Sequence, residues 1–190
     1  TSNGYVFNTN YDLELEQSLE NLKLKNLMLN FKDLNLKIKN SLSLMSNEKI
    51  SGLTDIDLFR EKVNFKYDIL DSKVTFETKK NSNLKLSGII DQSPFYFDIK
   101  MSFKNVNLQS VIAIINKLKT YLNNNYLLNK NFNGKFLINF DKIHGSKYLD
   151  DIEISASFLN GKINLNGSKI SLNKLGVIHL NNFSILTKKN

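Results

Sequence analysis

Leucine alternates with polar residues through Leu22–Leu44, the run LKLKNLMLNFKDLNLKIKNSLSL. A period of two puts successive side chains on opposite faces of an extended strand, whereas a helix repeats every 3.6 residues. The segment therefore predicts short β-strands with one greasy face, and that face must lie against something. The phase slips twice. Apolar residues hold even positions to Leu24, odd positions from Leu27 to Phe31, and even positions again from Leu34. A one-residue slip moves every side chain to the other face, so a bulge or turn is expected at Asn26 and at Lys32-Asp33.

The same alternation predicts strands over Tyr11–Glu16, Leu22–Leu24, Leu27–Phe31, Leu34–Lys39 and Leu42–Met45, then Gly52–Leu58, Val63–Ile69, Lys73–Thr78, Leu84–Ile90 and Phe95–Phe103. Turn signals separate them at 79–83 and at AspGlnSerPro 91–94, which holds the single proline. The period then changes. Leu108, Val111, Ile112, Ile115, Leu118, Tyr121 and Leu122 follow helical spacing, and Asn107 is placed to cap the helix. This predicts one amphipathic helix over Leu108–Leu122, with Val111, Ile115 and Leu118 packed on the sheet, followed by a loop over Asn123–Asn133. Strands resume at Lys135–Lys142, Asp151–Phe158, Lys162–Asn166, Lys169–Leu172 and Val177–Leu186. AsnGly at 160–161 predicts a hairpin turn, and AsnGly at 166–167 another tight turn. An echo between Gly134–Ile143 and Gly161–Ile170 hints at a repeated hairpin unit.

The expected fold is mainly β: a long curved antiparallel meander forming an open hydrophobic groove, with one helix at about 108–122. It reads as one segment, 1–190, divided into a meander (1–103), a helix and loop (104–133) and a second meander (134–190). The 190 residues suffice for a real core, and 41% hydrophobic with 23% charged residues describes a globular chain. The chain opens at Thr1 rather than Met, which reads as a processed form or an excised fragment. Its longest apolar run, Val111–Ile115, is far short of the roughly 20 residues that span a bilayer. An export signal or anchor is thus expected outside this segment.

Cysteine is absent, so disulfides, thiolate metal sites and cysteine nucleophiles are excluded. The net charge of +8 is almost all lysine, with Arg60 the only arginine. Planar recognition of phosphate and guanine favours arginine, and Lys23, Lys25, Lys37 and Lys39 alternate with apolar residues as the wet side of strands. Nucleic acid is therefore not expected as a partner.

Catalytic chemistry finds no constellation. His144 and His179 lie far apart, and neither has a ligand-spaced histidine nearby. Asp150, Asp151 and Glu153 lack calcium-loop spacing and read as a solvated strand edge, as do Asp55 and Asp57. No phosphate loop, dinucleotide fingerprint, nucleophile elbow or zinc motif occurs. No catalytic, cofactor-binding or metal-binding residue is assigned, and no cofactor is expected. AsnGlySer 166–168 and AsnPheSer 182–184 match the glycosylation sequon, a short and common pattern.

Phe97–Leu118 (FDIKMSFKNVNLQSVIAIINKL) combines a strand, a short junction ending in Leu108 and an amphipathic helix, followed after a loop by FNGKFLINFDKIHG and the run from Leu149. This order resembles the C-terminal region of the AsmA-like, TamB-related family. There a glycine opens one strand (here Gly134), a Leu-x-Asp-Ile stretch opens the next (Leu149 to Ile152), and Gly-x-Ile-x-Leu follows a hairpin (Gly161 to Leu165). The resemblance covers about Phe95–Ile185, and the family's N-terminal helix is missing, a departure that a fragment would explain. It implies a non-enzymatic, membrane-anchored envelope protein. Its periplasmic groove would carry phospholipid between inner and outer membranes and support outer-membrane integrity. Partners would be phospholipid acyl chains and the two membranes or their proteins; oligomeric state stays open. Independently, a groove lined by Leu, Ile and Phe accepts acyl chains, and rim lysines are expected to meet anionic head groups. The competing expectations are a self-covered β-sandwich, adhesin- or scaffold-like, and a jelly-roll bridge for lipopolysaccharide.

Overall fold

Alternation becomes strand almost everywhere in the computed structural model, which describes residues 1–6, 9–17, 24–31, 36–44, 49–58, 61–79, 83–123 and 130–186. The chain divides into two units, Thr1–Ser82 and Asn83–Asn190, so the expected boundary after 103 runs through the second. The slip at Lys32-Asp33 lies outside the described residues, as do most of the turn at 79–83 and most of the loop at 123–133.

The first unit is a meander of β1 (Ser2–Val6), β2 (Thr9–Gln17), β3 (Leu24–Phe31), β4 (Leu36–Leu44), β5 (Lys49–Leu58), β6 (Glu61–Leu70) and β7 (Lys73–Thr78). Each strand is antiparallel to the next. The slip near Asn26 is a bulge: Glu16 pairs with Asn26 and Gln17 with Leu24, leaving Lys25 unopposed. Two expected strands at 34–45 are one, β4. Asn40 holds the phase because the Thr54 hydroxyl donates to its Oδ1 at 2.9 Å, so a polar residue stays on the apolar face. β1 has no clear alternation in its sequence and is held by pairing with β2.

The second unit contains β8 (Leu84–Gln92), β9 (Phe95–Phe103), β10 (Val106–Asn107), α1 (Leu108–Asn123), β11 (Gly134–Phe140), β12 (Ile143–His144), β13 (Leu149–Leu159), β14 (Lys162–Asn164), β15 (Ser168–Leu172), β16 (Gly176–Leu180) and β17 (Ser184–Leu186). The antiparallel expectation is corrected at one place. β11 runs parallel to β9, and the two-residue strands β10 and β12 are parallel to each other. A parallel return needs a crossover, and α1 lies in it. The echo of Gly134 and Gly161 is therefore not a repeated hairpin: Gly134 opens a parallel strand, while Asn160 and Gly161, with φ of 53° and 76°, form the tight turn between β13 and β14.

The far edge of β13 is shared. Its first half pairs with β15 and its last residues with β14. At the junction the Ser155 N–H donates to Ser168 Oγ at 2.9 Å, and the Ser168 hydroxyl donates back to Ser155 O at 3.2 Å. One buried hydroxyl thus satisfies both backbone groups that the branching would orphan. The expected strand at 177–186 is split, since β16 turns back on β15 and β17 joins β14.

Helix α1 begins where expected. The Ser110 N–H donates to Asn107 Oδ1 at 2.7 Å, the geometry of an N-cap. Its buried stripe differs from the expected one. Val111 and Ile114 are 1% and 2% exposed, whereas Ile112 and Ile115 are 49% and 39% exposed; the side chain of Leu118 lies outside the described residues. Ile115 sits about 100° around the helix from Ile114, beyond a narrow contact.

Two stability measurements check this packing. Ile114→Asp should lose about 3–5 kcal/mol in urea unfolding, because an unpaired carboxylate would be buried, while Ile115→Asp should change stability by less than about 1 kcal/mol. Ser168→Ala should cost about 1–3 kcal/mol and speed hydrogen exchange at the Ser155 amide.

Candidate functional site: an apolar sheet face in each unit

Residues directly opposite in a sheet share a face, so strand register assigns every side chain. In the first unit Leu13, Leu29, Ile38, Ile56 and Val63 form one row across β2 to β6. Beside it run Leu15, Leu27, Asn40, Thr54 and Phe65, and further rows join Tyr67 to Phe76 and Ile50 to Ile69 and Val74. Leu13, Leu29, Ile38 and Ile56 are only half-buried and Leu15 is exposed, although all belong to the greasy face. Among the described residues this unit has strands of one sheet and nothing else. Tyr67 lies over Gly52, where any Cβ would collide with the phenol ring. Burial pushes the Tyr67 hydroxyl above its ordinary 10.0, and its hydrogen bond with Asn40 works against that rise.

The opposite face is charged and internally matched. Lys39 stands opposite Asp55, and Lys66 opposite Glu77. Asn26 donates from Nδ2 to Glu16 Oε2 at 2.7 Å and accepts at Oδ1 from Ser41 Oγ at 3.0 Å, linking three strands. Asp68 accepts from Ser51 Oγ and lies 3.1 Å from Lys49 Nζ. The hydrogen bond from Ser51, then Lys49, hold its carboxyl below the usual 3.8. The depression lined by Asp12, Glu14, Met28, Asn30, Lys37 and Lys39 opens on this wet face.

The second unit repeats the two-faced plan. Leu84, Phe103, Phe140, Ile152, Ile170 and Ile178 make one row, and Ile90, Phe97, Gly134, Phe158, Ile163 and Ile185 another. Between them lie Leu86, Ile99, Phe136 and Ile154, all half-buried. The Phe103 and Phe140 rings stack with centroids 5.1 Å apart. At the other row Phe132 caps Phe97 and Phe158, at 4.6 Å and 5.5 Å. A Cβ at Gly134 would strike the Phe97 carbonyl and ring. The aromatic cap therefore requires glycine there.

The polar residues singled out in sequence are dispersed. His144 and His179 are both exposed, one in β12 opposite Asn107 and the other opposite Lys169. Asp150 sits at a register irregularity, and Glu153 lies 3.8 Å from Lys169. Asp55 accepts from Asn64, and the side chain of Asp57 lies outside the described residues. Among the described residues no group of three or more carboxylate, histidine or cysteine side chains is placed to hold a metal, and no helix is long and apolar enough to cross a membrane. Strand lysines such as Lys37, Lys39, Lys66, Lys85, Lys100 and Lys135 stand on the wet faces, away from the apolar rows. Comparison with protein families, curated proteins and solved structures returns no match in any of the three.

The Asp68 carboxylate favours the folded state while ionised, because its folded pKa is lowered. That contribution is complete above the ordinary 3.8 and disappears as the pH falls through the folded value. Asp68→Asn should lower the neutral-pH urea midpoint and flatten its fall as the pH drops below the ordinary 3.8. Parallel wild-type and variant curves over that range would refute the assignment.

Proposed function

We propose that the apolar faces hold phospholipid acyl chains. In this reading the chain is a non-enzymatic, lipid-binding segment of a periplasmic, AsmA-like envelope protein, anchored to the inner membrane by a segment outside this chain. It would support phospholipid transport between inner and outer membranes, and with it outer-membrane integrity. The observation that carries the reading is the row of Leu13, Leu29, Ile38 and Ile56, half-buried with no helix or second sheet over it among the described residues of its unit.

Such a row gains about 25 cal/mol for each Å² taken out of water, whatever covers it. A fatty chain makes a fitting cover, since each buried CH₂ contributes about 0.8 kcal/mol, and it asks for no hydrogen bonds. The polar groups on this face are already engaged: Thr54 donates to Asn40, and Asn40 bonds Tyr67. The charged side chains described in these strands stand on the opposite face, where they keep the sheet in water while lipid occupies the first.

Lipid extracted from the purified protein and examined by mass spectrometry checks this. Phospholipid should copurify in stoichiometric amount, and Ile38→Lys should remove it without unfolding the protein, because the site is open to solvent. Lipid-free wild-type protein would point to a self-covered adhesin- or scaffold-like module. Lipopolysaccharide in place of phospholipid would point to a glycolipid bridge.

A further inference from the structure

Register brings the turns at one end of the second unit together. β9 and β11 end side by side at Phe103 and Phe140, β13 starts there at Leu149, and β15 ends there at Leu172. The turns are tied by backbone hydrogen bonds: Asp141 N to Phe103 O at 2.7 Å, Val106 N to Lys142 O at 3.4 Å, and Asn173 N to Tyr148 O at 2.7 Å. They carry Lys104, Lys142, Lys147 and Lys174, all exposed. Within the turns the carboxylate is Asp141, which already accepts from Asn139 at 2.8 Å and Ser102 at 3.4 Å; Asp150 and Asp151 follow in the first residues of β13, so the four lysines still outnumber the three carboxylates at this end. Beside the lysines stand Tyr148, 65% exposed, and Leu175, 69% exposed.

Two of the lysines occupy backbone positions that do not suit them. Lys142 and Lys174 have φ of 55° and 59°. This left-handed region disfavours side chains with a Cβ and is reached more easily by Gly, Asn and Asp. The other described non-glycine residues with positive φ are Asp71, Asn160 and Asn182, as that preference dictates. Asparagine is plentiful in this chain, so the exceptions are not forced by composition. Among the described residues neither lysine makes a salt bridge that would reward its place in the fold.

We infer that this turn cluster docks on an anionic phospholipid surface, with the four ammonium groups at the head groups and Tyr148 and Leu175 entering the interface. A tyrosine suits that boundary, being apolar in its ring and polar at its tip, and each lysine near such a surface strengthens binding about five-fold. The inference goes beyond the acyl-chain reading, because a protein can dock on a membrane without carrying its lipid.

Flotation of the full chain with phosphatidylcholine vesicles, with and without phosphatidylglycerol, tests it. Binding should require phosphatidylglycerol and weaken with salt. The Lys142→Asn/Lys174→Asn variant should bind about thirty-fold more weakly while its Tm stays equal or rises, since asparagine suits both positions. Tyr148→Ser/Leu175→Ser should remove the binding that survives salt. Lys85→Asn/Lys100→Asn, which removes equal charge from the wet face, should bind as wild type. Equal binding to neutral vesicles, no vesicle binding, binding to duplex DNA alone, or equal loss in the wet-face variant would each overturn the proposal. The turn variants should keep copurified lipid and Ile38→Lys should keep vesicle binding, so failure of one reading is distinguishable from failure of the other.

Discussion

Side chains directly opposite on neighbouring strands are about 5 Å apart, close enough to touch, so strands that alternate in register become rows of contact across a sheet. Every other feature of these two units follows from keeping those rows aligned. Leu13, Leu29, Ile38, Ile56 and Val63 come from five strands, yet they line up because each pairing preserves the phase. Where the sequence shifts by one residue, at Lys25, the backbone bulges instead of turning the leucines into water.

Keeping rows aligned leaves backbone groups stranded wherever the sheet departs from a simple meander. The branch on β13 is the clearest instance, and Ser168 resolves it by accepting from and donating to the same residue. The crossover from β9 to β11 raises a different problem, since the Phe97 and Phe158 rings flank Gly134 on both sides of one row. Absence of a side chain there admits the Phe97 ring, on which Phe132 and Phe158 then assemble. A branch is closed by a hydroxyl and a crossover by a glycine. Both keep an apolar face continuous that would otherwise be interrupted.

What the sequence disclosed was local. β9 and the start of α1 fall where period and cap place them, because a two-residue alternation and an Asn side chain reaching three residues ahead are decided by neighbours in the chain. Pairing was not disclosed. Nothing in Phe95–Phe103 says that its second neighbour arrives parallel after a helix, and nothing in Ser168 says that it faces Ser155 across a branch. The pattern alone divides β4 in two, because Asn40 and Ser41 interrupt the leucines, yet Asn40 is in phase and bonded by Thr54. The helix stripe departs from its spacing at Ile115, because spacing identifies the apolar side of a helix but not how wide its contact is. The apolar face was legible as a pattern; its members came from register.

The distribution of charge follows from the same alignment. On the wet face of the first unit, among the residues whose side chains are described, Asp12, Glu14, Glu16, Asp55, Asp68 and Glu77 stand among Lys37, Lys39, Lys49, Lys62, Lys66 and Lys73, six carboxylates to six ammonium groups. Cross-strand pairing rewards such matching and penalises like charges set opposite, so a sheet face has reason to neutralise itself. A chain of net charge +8 must then carry its surplus where no strand stands opposite, and turns are the places free of that constraint. In the second unit four lysines gather in the turns at one end, two of them against backbone preference. Pairing explains the balanced faces; it gives no reason for charge to collect at an end.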